Sequence, residues 1–282
     1  MAGLRGANAN PTNLIRVMPA EGEEMRKPLD LRVAVQSSGD ILARLRDKAP
    51  RVHCITNTVA QNFTANVLLA AGAVPSMTTS PEEVGQFAGS ADALLVNLGT
   101  FDRERAEAIG IALTAAEAAR RPWVLDPVLI DRSPMRASLA RDLLSREPAA
   151  LRLNAAEFAT LSGHEASADA VGDLAGEYST VIALSGKTDL VADATRRAML
   201  ANGHALMAKI TAMGCAASAL VAACLAVEAD RWHASLAAMT VFGVAGELAG
   251  AKAEGPGSFA VAFLDELNRL TPAMLVERAR VS

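Results

Sequence analysis

The sequence predicts an α/β fold with a mostly parallel central sheet and helices on both faces. From Gly39 onward, helical segments alternate with short apolar runs, a pattern typical of a doubly wound α/β domain. The runs lack strict alternation of apolar and polar residues, which indicates strands that are buried on both faces. Hydrophobic residues make up 51% of the chain but aromatic residues only 4%, which favours small-residue helices packed closely on the sheet.

Five apolar runs are predicted to be strands, in chain order residues 52–55, 93–98, 123–128, 181–184 and 190–192. The chain from residue 213 to about 270 is predicted to be almost wholly helical. Four of the runs lead into polar or glycine-containing turns: Thr56-Asn57, Gly99-Thr100, Asp126-Pro127 and Ser185-Gly186. Because ligands of open α/β sheets bind beyond the carboxyl ends of the strands, we expect these turns to line the functional site.

The N-terminal segment differs in composition from the rest of the chain. Residues 1–35 mix Asn, Pro, Gly and charged residues without a sustained period, so they are predicted to form a partly disordered extension. Residues 36–282 are predicted to form a single domain, since one α/β sheet commonly organises a chain of this size.

Charge and cysteine content narrow the class of partner and the compartment. The formal net charge of −4 offers no broad basic surface, which argues against nucleic acid or anionic membrane as the main partner and leaves small molecules. The three cysteines are odd in number and lack a CxxC spacing, which favours a reducing compartment. No apolar stretch has the length and position of a signal peptide or membrane span, so we expect a soluble, cytoplasmic protein.

The most informative segment is a polar turn that leads into a long Ala-rich helix, Lys209-Ile-Thr-Ala-Met-Gly-Cys-Ala-Ala-Ser-Ala-Leu220. Free amides at Gly214, Cys215 and Ala216, together with the positive end of the helix dipole, would suit an anion such as a transferring phosphate. The same position is expected to lower the pKa of Cys215, whose thiol could contact an acceptor hydroxyl. Simple packing of a buried cysteine is the alternative.

Candidate metal ligands follow two of the predicted turns. The chain contains neither a Walker A loop nor a GxGxxG motif, so any nucleotide site must be built differently. Asn154 and Glu157 stand three residues apart at a predicted helix start, where they could hold Mg²⁺ directly or through water. The alternative is an N-cap with its capping-box partner. Asp126 could orient a metal or water at its strand end, or cap a turn.

Four other residues are ambiguous from the sequence. His53 lies inside an apolar run with no neighbouring His or carboxylate pattern, so we interpret it as a satisfied core residue rather than a catalyst. Met77 could line a flexible apolar pocket or fill core space. Lys187 and Arg136 are isolated charges, which are usually solvated, although either could reach a phosphate.

Several motifs resemble those of the hydroxyethylthiazole kinases and span nearly everything after residue 39. The opening run Val52-His-Cys-Ile-Thr-Asn57 is the most specific, together with its continuation through residues 62–66 to 72–77. The further motifs follow in the family's order: Val96-Asn-Leu-Gly-Thr100, Leu125-Asp-Pro-Val128, Arg152-Leu-Asn-Ala-Ala-Glu157, Ala183-Leu-Ser-Gly186 with Thr188-Asp189, Met213-Gly-Cys215 and Gly255-Pro-Gly-Ser-Phe259. The resemblance implies a ribokinase-like fold and a homotrimer with active sites near subunit boundaries. It also implies ATP-dependent phosphorylation of 4-methyl-5-(2-hydroxyethyl)thiazole in thiamine salvage.

The resemblance also assigns roles to individual positions. It implies that Met77 contacts the thiazole, that Asn57 lies in the same pocket, and that Cys215 occupies the position of the catalytic Asp of ribokinase relatives. Contacts to ATP are implied for Arg136 and Ser185. The residues implied to organise Mg²⁺ and the phosphates, directly or through water, are Glu157, Asn154 and Asp126.

Two departures from the family pattern bear on activity. Ala212 stands where the family has the first Gly of Gly-x-Gly-Cys, beside the substrate, so a positive φ there would cost roughly 1–2 kcal/mol. Leu153 stands where Gly usually precedes the Asn. Two alternatives to a kinase therefore stay open: a thiazole-binding protein or regulator with weakened catalysis, and a ribokinase-like lyase acting on a nucleotide cofactor.

Overall fold

The computed structural model describes residues 30–282, so residues 1–29 of the predicted extension lie outside the described residues. The first helix begins at Leu31, inside the predicted extension, and Asp30 caps it by accepting a hydrogen bond from the amide of Arg32 (2.9 Å). No helix among residues 30–282 is long and apolar enough to cross a membrane.

One eight-stranded sheet organises the described chain, in the order β2-β1-β3-β4-β5-β6-β7-β8. The strands are β1 Arg51–Ile55, β2 Val74–Ser76, β3 Ala93–Asn97, β4 Trp123–Asp126, β5 Ala150–Asn154, β6 Val181–Ser185, β7 Asp189–Ala192 and β8 Arg197–Leu200. The pairings from β2 through to β6 are parallel, and β7 and β8 add an antiparallel meander. The predicted mostly parallel sheet is confirmed.

Eleven α-helices lie among the described residues: α1 Leu31–Lys48, α2 Gln61–Ala71, α3 Val84–Ser90, α4 Arg103–Ala118, α5 Pro134–Leu144, α6 Ala155–Ser162, α7 Ala168–Glu177, α8 Met213–Leu225, α9 Arg231–Gly250, α10 Pro256–Arg269 and α11 Pro272–Arg278. Helices α8, α9 and α10 make the stretch from Met213 to about Leu270 almost wholly helical, as predicted.

The sheet separates two hydrophobic cores. Helices α1, α2, α8, α9 and α10 cover one face, and α3, α4, α5, α6 and α7 cover the other. Successive strand residues point to opposite faces, so in β3 Leu95 enters the first core while Leu94 and Val96 enter the second. Both faces of the strands are therefore apolar, which explains the continuous apolar runs in the sequence.

Helix α8 is the innermost helix, in contact with β1, β3, β4, α2 and α9. Most of its residues are small, and almost every one from Ala216 to Leu225 is buried. Small side chains let the helix backbone approach the sheet and its neighbours closely. This packing fixes the N-terminus of α8 directly beyond the carboxyl ends of the central strands.

Candidate active site

Three of the four predicted turns converge where the carboxyl ends of β1, β3 and β4 meet the N-terminus of α8. Asn57, Asp126 and Cys215, which the sequence singled out, are joined here in one hydrogen-bonded network. Asn97, at the end of β3, completes the network. Asn97 was not among the predicted site residues, because it lies inside the apolar run 93–98; it is the last residue of β3.

Asn57 and Asn97 link the cysteine to the aspartate. The Asn57 amide donates to Cys215 Sγ (3.2 Å) and to Asn97 Oδ1 (3.3 Å). Asn97 in turn donates to Asp126 Oδ2 (2.7 Å), and Ser218, one turn into α8, donates to the same oxygen (2.9 Å). The network holds the strand ends and the helix start in a fixed arrangement.

Asp126 is a buried carboxylate, only 1% exposed. Burial raises its pKa to about 6, and the neighbouring charge of Glu157 adds to this, while Arg152 and the hydrogen bonds from Ser218 and Asn97 oppose it. The group is therefore ionised at neutral pH and becomes protonated in mildly acidic solution. Its second oxygen, Oδ1, is buried without a hydrogen-bond partner.

The thiol of Cys215 has a raised pKa, whereas the sequence predicted a lowered one. Its pKa is raised to about 11, mainly by burial and also by the charge of Asp126, and these effects outweigh the hydrogen bonds from Asn57 and Asn97 and the charge of Arg152. The prediction that the helix N-terminus lowers this pKa is wrong, because the thiol is largely buried beside a carboxylate. At neutral pH Cys215 is a protonated thiol.

Ala212 immediately precedes α8 and has φ 73° and ψ −1°, in the left-handed region. This is the conformation for which the family pattern places a glycine. Its side chain makes no capping bond to the helix, so the first amides of α8 are not satisfied by the residue that precedes them.

A cavity of about 700 Å³ lies beside the start of α8, on the side of β6 and β7. Arg152, Ser185 and Lys187 form part of its polar wall, and Met207, Met239 and Phe242 part of its apolar wall; Asp189 and His204 also line it. A cavity lined by both cationic and apolar side chains suits a nucleotide, which has charged phosphates and an apolar base.

Arg152 contacts the start of α8, although it was not among the predicted site residues. Its guanidinium donates to Ser185 Oγ (2.6 Å), and a Cβ on Gly214 would come within 2.5 Å of its Nη1. Gly214 is therefore required for the close approach of Arg152 to α8. Arg152 belongs to the motif that supplied Asn154 and Glu157, and its alternation with the buried Leu151 and Leu153 was the available signal.

Arg136, the predicted ATP contact, lies elsewhere. It is in the first turn of α5, where its Nη1 donates to the carbonyl oxygen of Val128 (3.4 Å), and it does not line the cavity. Ser185, the other predicted ATP contact, does line it. Of the two residues to which the resemblance assigns ATP contacts, only Ser185 therefore lines the cavity.

Asn154 and Glu157 form the capping box that the sequence analysis weighed as an alternative. Asn154 Oδ1 accepts from the amides of Ala156 (2.9 Å) and Glu157 (3.0 Å) at the start of α6. Glu157 Oε2 accepts from the Asn154 amide (3.0 Å), and Oε1 accepts from the amide of Leu129 (2.9 Å). The buried Glu157 therefore ties the β4 loop to α6, and the charge of this carboxylate lies close enough to raise the pKa of Asp126.

Met77 follows β2 on the same edge of the sheet. It is partly buried and packs against the core that contains α8. His53, in β1, is fully buried with both ring nitrogens hydrogen-bonded, which confirms its interpretation as a satisfied core residue.

The described residues hold no group of three or more His, Cys, Asp or Glu side chains arranged for a metal ion. Magnesium in phosphoryl-transfer sites commonly uses one or two carboxylates, with water and substrate phosphates as its other ligands. The unpartnered oxygens Asp126 Oδ1 and Asn57 Oδ1 are buried at this edge and are the type of ligand that Mg²⁺ prefers. Asp126 Oδ1 therefore fits the ion, while the side-chain oxygens of Asn154 and Glu157 already accept from backbone amides.

Comparison of the fold with solved structures defines the class of protein. A ribokinase-like superfamily protein from Enterococcus faecalis V583 superposes with a TM-score of 0.63 at 14% identity, covering 86% of this chain and 96% of that chain. Pyridoxal kinase from Staphylococcus aureus, solved with pyridoxal, gives a TM-score of 0.53 at 18% identity, covering 70% of this chain and 88% of that chain. The fold is ribokinase-like.

The chain belongs to the hydroxyethylthiazole kinase family, whose model matches residues 42–273. A hydroxyethylthiazole kinase from Gemmatimonas aurantiaca is 45% identical over 259 residues, which cover 87% of this chain and 93% of that protein. A probable hydroxyethylthiazole kinase from Agrobacterium fabrum is 42% identical over 245 residues, covering 86% and 94%. The structure of a hydroxyethylthiazole kinase protein from Pyrococcus horikoshii OT3 has a TM-score of 0.83 at 35% identity, covering 87% of this chain and 98% of that chain.

Proposed function

We propose that this protein phosphorylates the hydroxyethyl oxygen of 4-methyl-5-(2-hydroxyethyl)thiazole with ATP as the phosphoryl donor, in thiamine salvage. The observation that carries the proposal is the N-terminus of α8. Cys215 on this turn joins the Asn57, Asn97 and Asp126 network, while Gly214 faces Arg152 in the wall of the 700 Å³ cavity. One helix start thus joins a buried polar network to a nucleotide-sized cavity.

The chemical step we propose is in-line transfer. The hydroxyethyl oxygen forms a bond to the γ-phosphorus of ATP, the bond from that phosphorus to the bridging β–γ oxygen breaks, ADP leaves, and the alcohol proton passes to the carboxylate of Asp126. The amides at the start of α8 and the guanidinium of Arg152 are suited to stabilising the charge on the transferring group. Ser185, bonded to Arg152, is assigned to the ATP phosphates with it.

Cys215 is assigned to orienting the acceptor alcohol. A thiol with a pKa of about 11 is protonated at neutral pH and is a poor acceptor for the alcohol proton. Asp126, with a pKa of about 6, is the network member that is ionised at neutral pH and able to accept a proton. Since phosphoryl transfer passes through a loose transition state, positioning contributes more than proton removal.

The remaining assignments follow the resemblance. Met77 and Asn57 are proposed to form the thiazole pocket with Ala212. Arg136 is retained as a proposed ATP contact, subordinate to Arg152. Asp126, with Glu157 and Asn154 acting directly or through water, is proposed to hold Mg²⁺, which would neutralise phosphate charge when bound. We further propose a homotrimer located in the cytoplasm.

The test is ADP release by the purified protein with Mg²⁺ and ATP, with and without the thiazole alcohol. Alcohol-dependent ADP release supports the kinase. Tight binding of the alcohol without ADP release would replace the proposal with the binding-protein alternative, and ADP release that ignores the alcohol would also contradict it.

A matched pair of variants tests the nucleotide side. Arg152→Lys keeps the charge but loses the forked guanidinium, so we expect the KM for ATP to rise about tenfold, the loss of one charge-assisted hydrogen bond. Arg136→Lys makes the same chemical change outside the cavity wall and should have a smaller effect. A larger effect from Arg136→Lys would reverse the two assignments.

A further inference from the structure

His53 takes both of its hydrogen-bond partners from one segment, the residues on either side of Met77. It lies in the middle of β1, opposite Ser76 of β2 on one side and Leu94 of β3 on the other. Its ring is fully buried and lies 5.8 Å from the ring of Phe87 in α3, so it occupies the face of the sheet opposite to α8. An imidazole buried in an apolar core needs hydrogen-bond partners, and both of its partners come from one short segment.

The two partners of His53 lie on either side of Met77. Nδ1 lies 2.8 Å from Ser76 Oγ, and Nε2 lies 3.1 Å from the carbonyl oxygen of Thr78. A carbonyl oxygen only accepts, so Nε2 carries the proton, and Nδ1 of the neutral ring accepts from the Ser76 hydroxyl. Burial lowers the pKa of His53 to about 4, which keeps the ring neutral.

The two hydrogen bonds of His53 hold residues that differ in their other structural support. Ser76 is already held by the pairing of β2 with β1. Thr78 lies beyond the end of β2, where its side chain donates to Glu83 Oε1 and its carbonyl is held by His53. The imidazole therefore holds the backbone immediately after Met77, while Glu83 holds the side chain of Thr78.

The side chain of Met77 lies on the face of the sheet opposite to His53. In an extended segment successive side chains alternate, and Met77 packs against the core on the α8 face while Ser76 bonds to His53 on the opposite face. An anchor on one face of the sheet thus fixes where Met77 lies on the face that carries Cys215.

We infer that His53 is a positioning residue for the acceptor alcohol, which holds Thr78 so that Met77 forms one wall of the alcohol pocket. This inference rests on the proposed function, since Met77 is assigned to the pocket there. His53 itself lies behind the sheet and does not touch the substrate.

Two conservative variants separate this role from a merely structural one. His53→Asn retains an acceptor near Nδ1 for Ser76 but is too short to reach Thr78, whereas His53→Gln carries an amide donor near the position of Nε2. For His53→Asn we expect the KM for the alcohol to rise about tenfold, the effect of losing one buried hydrogen bond, with the KM for ATP changed less than about twofold. His53→Gln should restore the KM for the alcohol to within about threefold of the wild type.

Leu94→Ala is the matched control, because Leu94 lies beside His53 in the same core but makes no bond to the 76–78 segment. It should lower the melting temperature and leave the KM for the alcohol unchanged. An equal rise in this KM for Leu94→Ala and His53→Asn would overturn the inference, since general loosening of the core would then explain both.

Amide hydrogen exchange supplies a measurement that needs no turnover. Peptides covering residues 77–83 should exchange faster in His53→Asn than in the wild type or His53→Gln, in the absence of any substrate. Unchanged exchange in His53→Asn overturns the inference even if the kinase assay succeeds. If the wild type shows no alcohol-dependent ADP release, the proposed function fails separately, and the exchange result still decides whether His53 holds this segment.

Discussion

At the scale of single residues, Ala212 has a backbone conformation that favours glycine. Its φ of 73° places the side chain in the left-handed region, which costs an L residue roughly 1–2 kcal/mol. The close packing of α8 must supply this energy, because no side-chain cap stabilises the turn. The sequence identified the position through its departure from the family pattern, and the structure confirms the positive φ.

Replacing Ala212 with glycine should relieve this strain. We expect Ala212→Gly to raise the free energy of unfolding by about 1 kcal/mol in urea titrations, since glycine adopts positive φ without steric cost. Ala49→Gly is the matched control, because Ala49 also has a positive φ of 43° at the end of α1. Both variants should gain stability, and only Ala212→Gly should change the KM for the alcohol. A similar kinetic change in Ala49→Gly would separate Ala212 from the substrate site.

Asp126 should make stability and activity depend on pH in opposite directions. Its pKa is raised to about 6 in the folded protein from an ordinary value near 4, so between these values the folded state binds more protons than the unfolded state. The contribution of Asp126 to stability is therefore greatest below about pH 4 and falls as pH rises to about 6. Activity that needs the carboxylate should instead rise over the upper part of this range.

Asp126→Asn isolates the effect, because the amide oxygen can still accept from Asn97 and Ser218. We expect the variant and the wild type to have similar free energies of unfolding near pH 4. Above pH 6 the variant should be more stable by about 2–3 kcal/mol, the free energy equivalent of the shift in pKa. Its turnover should be strongly reduced, and the acid limb of kcat/KM near pH 6 should disappear. A stability difference that is constant with pH would contradict the assignment.

At the scale of elements, the sequence predicted the continuously apolar strands and missed β2, β5 and β8. The predicted runs correspond to β1, β3, β4, β6 and β7, because strands buried on both faces are continuously apolar. Strand β2 has three residues, one of them Pro75, and β8 alternates exposed and buried residues at the edge of the sheet. Strand β5 was passed over because Arg152 interrupts it, and that side chain points into the cavity rather than into a core.

Contacts between residues that are distant in the chain explain which part of the site could not be predicted from the sequence. Motif positions identified Asn57, Asp126 and Cys215, which the network joins. The raised pKa of Cys215 results from burial and from the charge of Asp126, which lies 89 positions earlier in the chain. No local sequence pattern indicates such a contact. Arg152 and Asn97 likewise acquire their partners only when separate strands come together.

The start of α6 offers a prediction that separates capping from metal binding. Asn154→Ala removes the acceptor for two amides and should cost about 1 kcal/mol, whereas Asn154→Asp keeps the acceptor and should be nearly neutral in stability. Ser167→Ala is the control, because Ser167 caps α7 by accepting from the amide of Ala170 and has no proposed role at the site. Thermal unfolding and turnover are measured for all three.

The kinetic comparison decides the role of Asn154. If it contributes to the phosphate or metal site, Asn154→Ala should lose more turnover than Ser167→Ala at equal loss of stability. Equal turnover in the two variants would show that Asn154 acts only as a helix cap. Glu157 and Asp126 would then remain as the proposed ligands of Mg²⁺.

At the scale of the whole molecule, the two edges of the sheet differ. Strand β2 forms one edge, and Val59, Leu69 and Val74 in and around α2 and β2 are 72%, 57% and 47% exposed. At the other edge, β8 is partly covered by the C-terminal residues, with hydrogen bonds between Met199 and Ser282 in both directions. A short edge strand flanked by exposed apolar side chains is a surface that another chain can cover.

In the proposed homotrimer, a second copy of the chain covers the edge of the sheet formed by β2. Leu69→Asp should then reduce the mass measured by light scattering from that of a trimer toward that of a monomer, because an unpaired charge buried in an interface is strongly unfavourable. Met199→Asp, 38% exposed on the opposite edge strand, is the control and should leave the mass unchanged. Because Met77 follows directly on β2, the dissociated variant should also have a raised KM for the alcohol. A wild-type mass equal to that of a monomer would contradict the trimer outright. A trimer unaffected by Leu69→Asp would move the interface to another face.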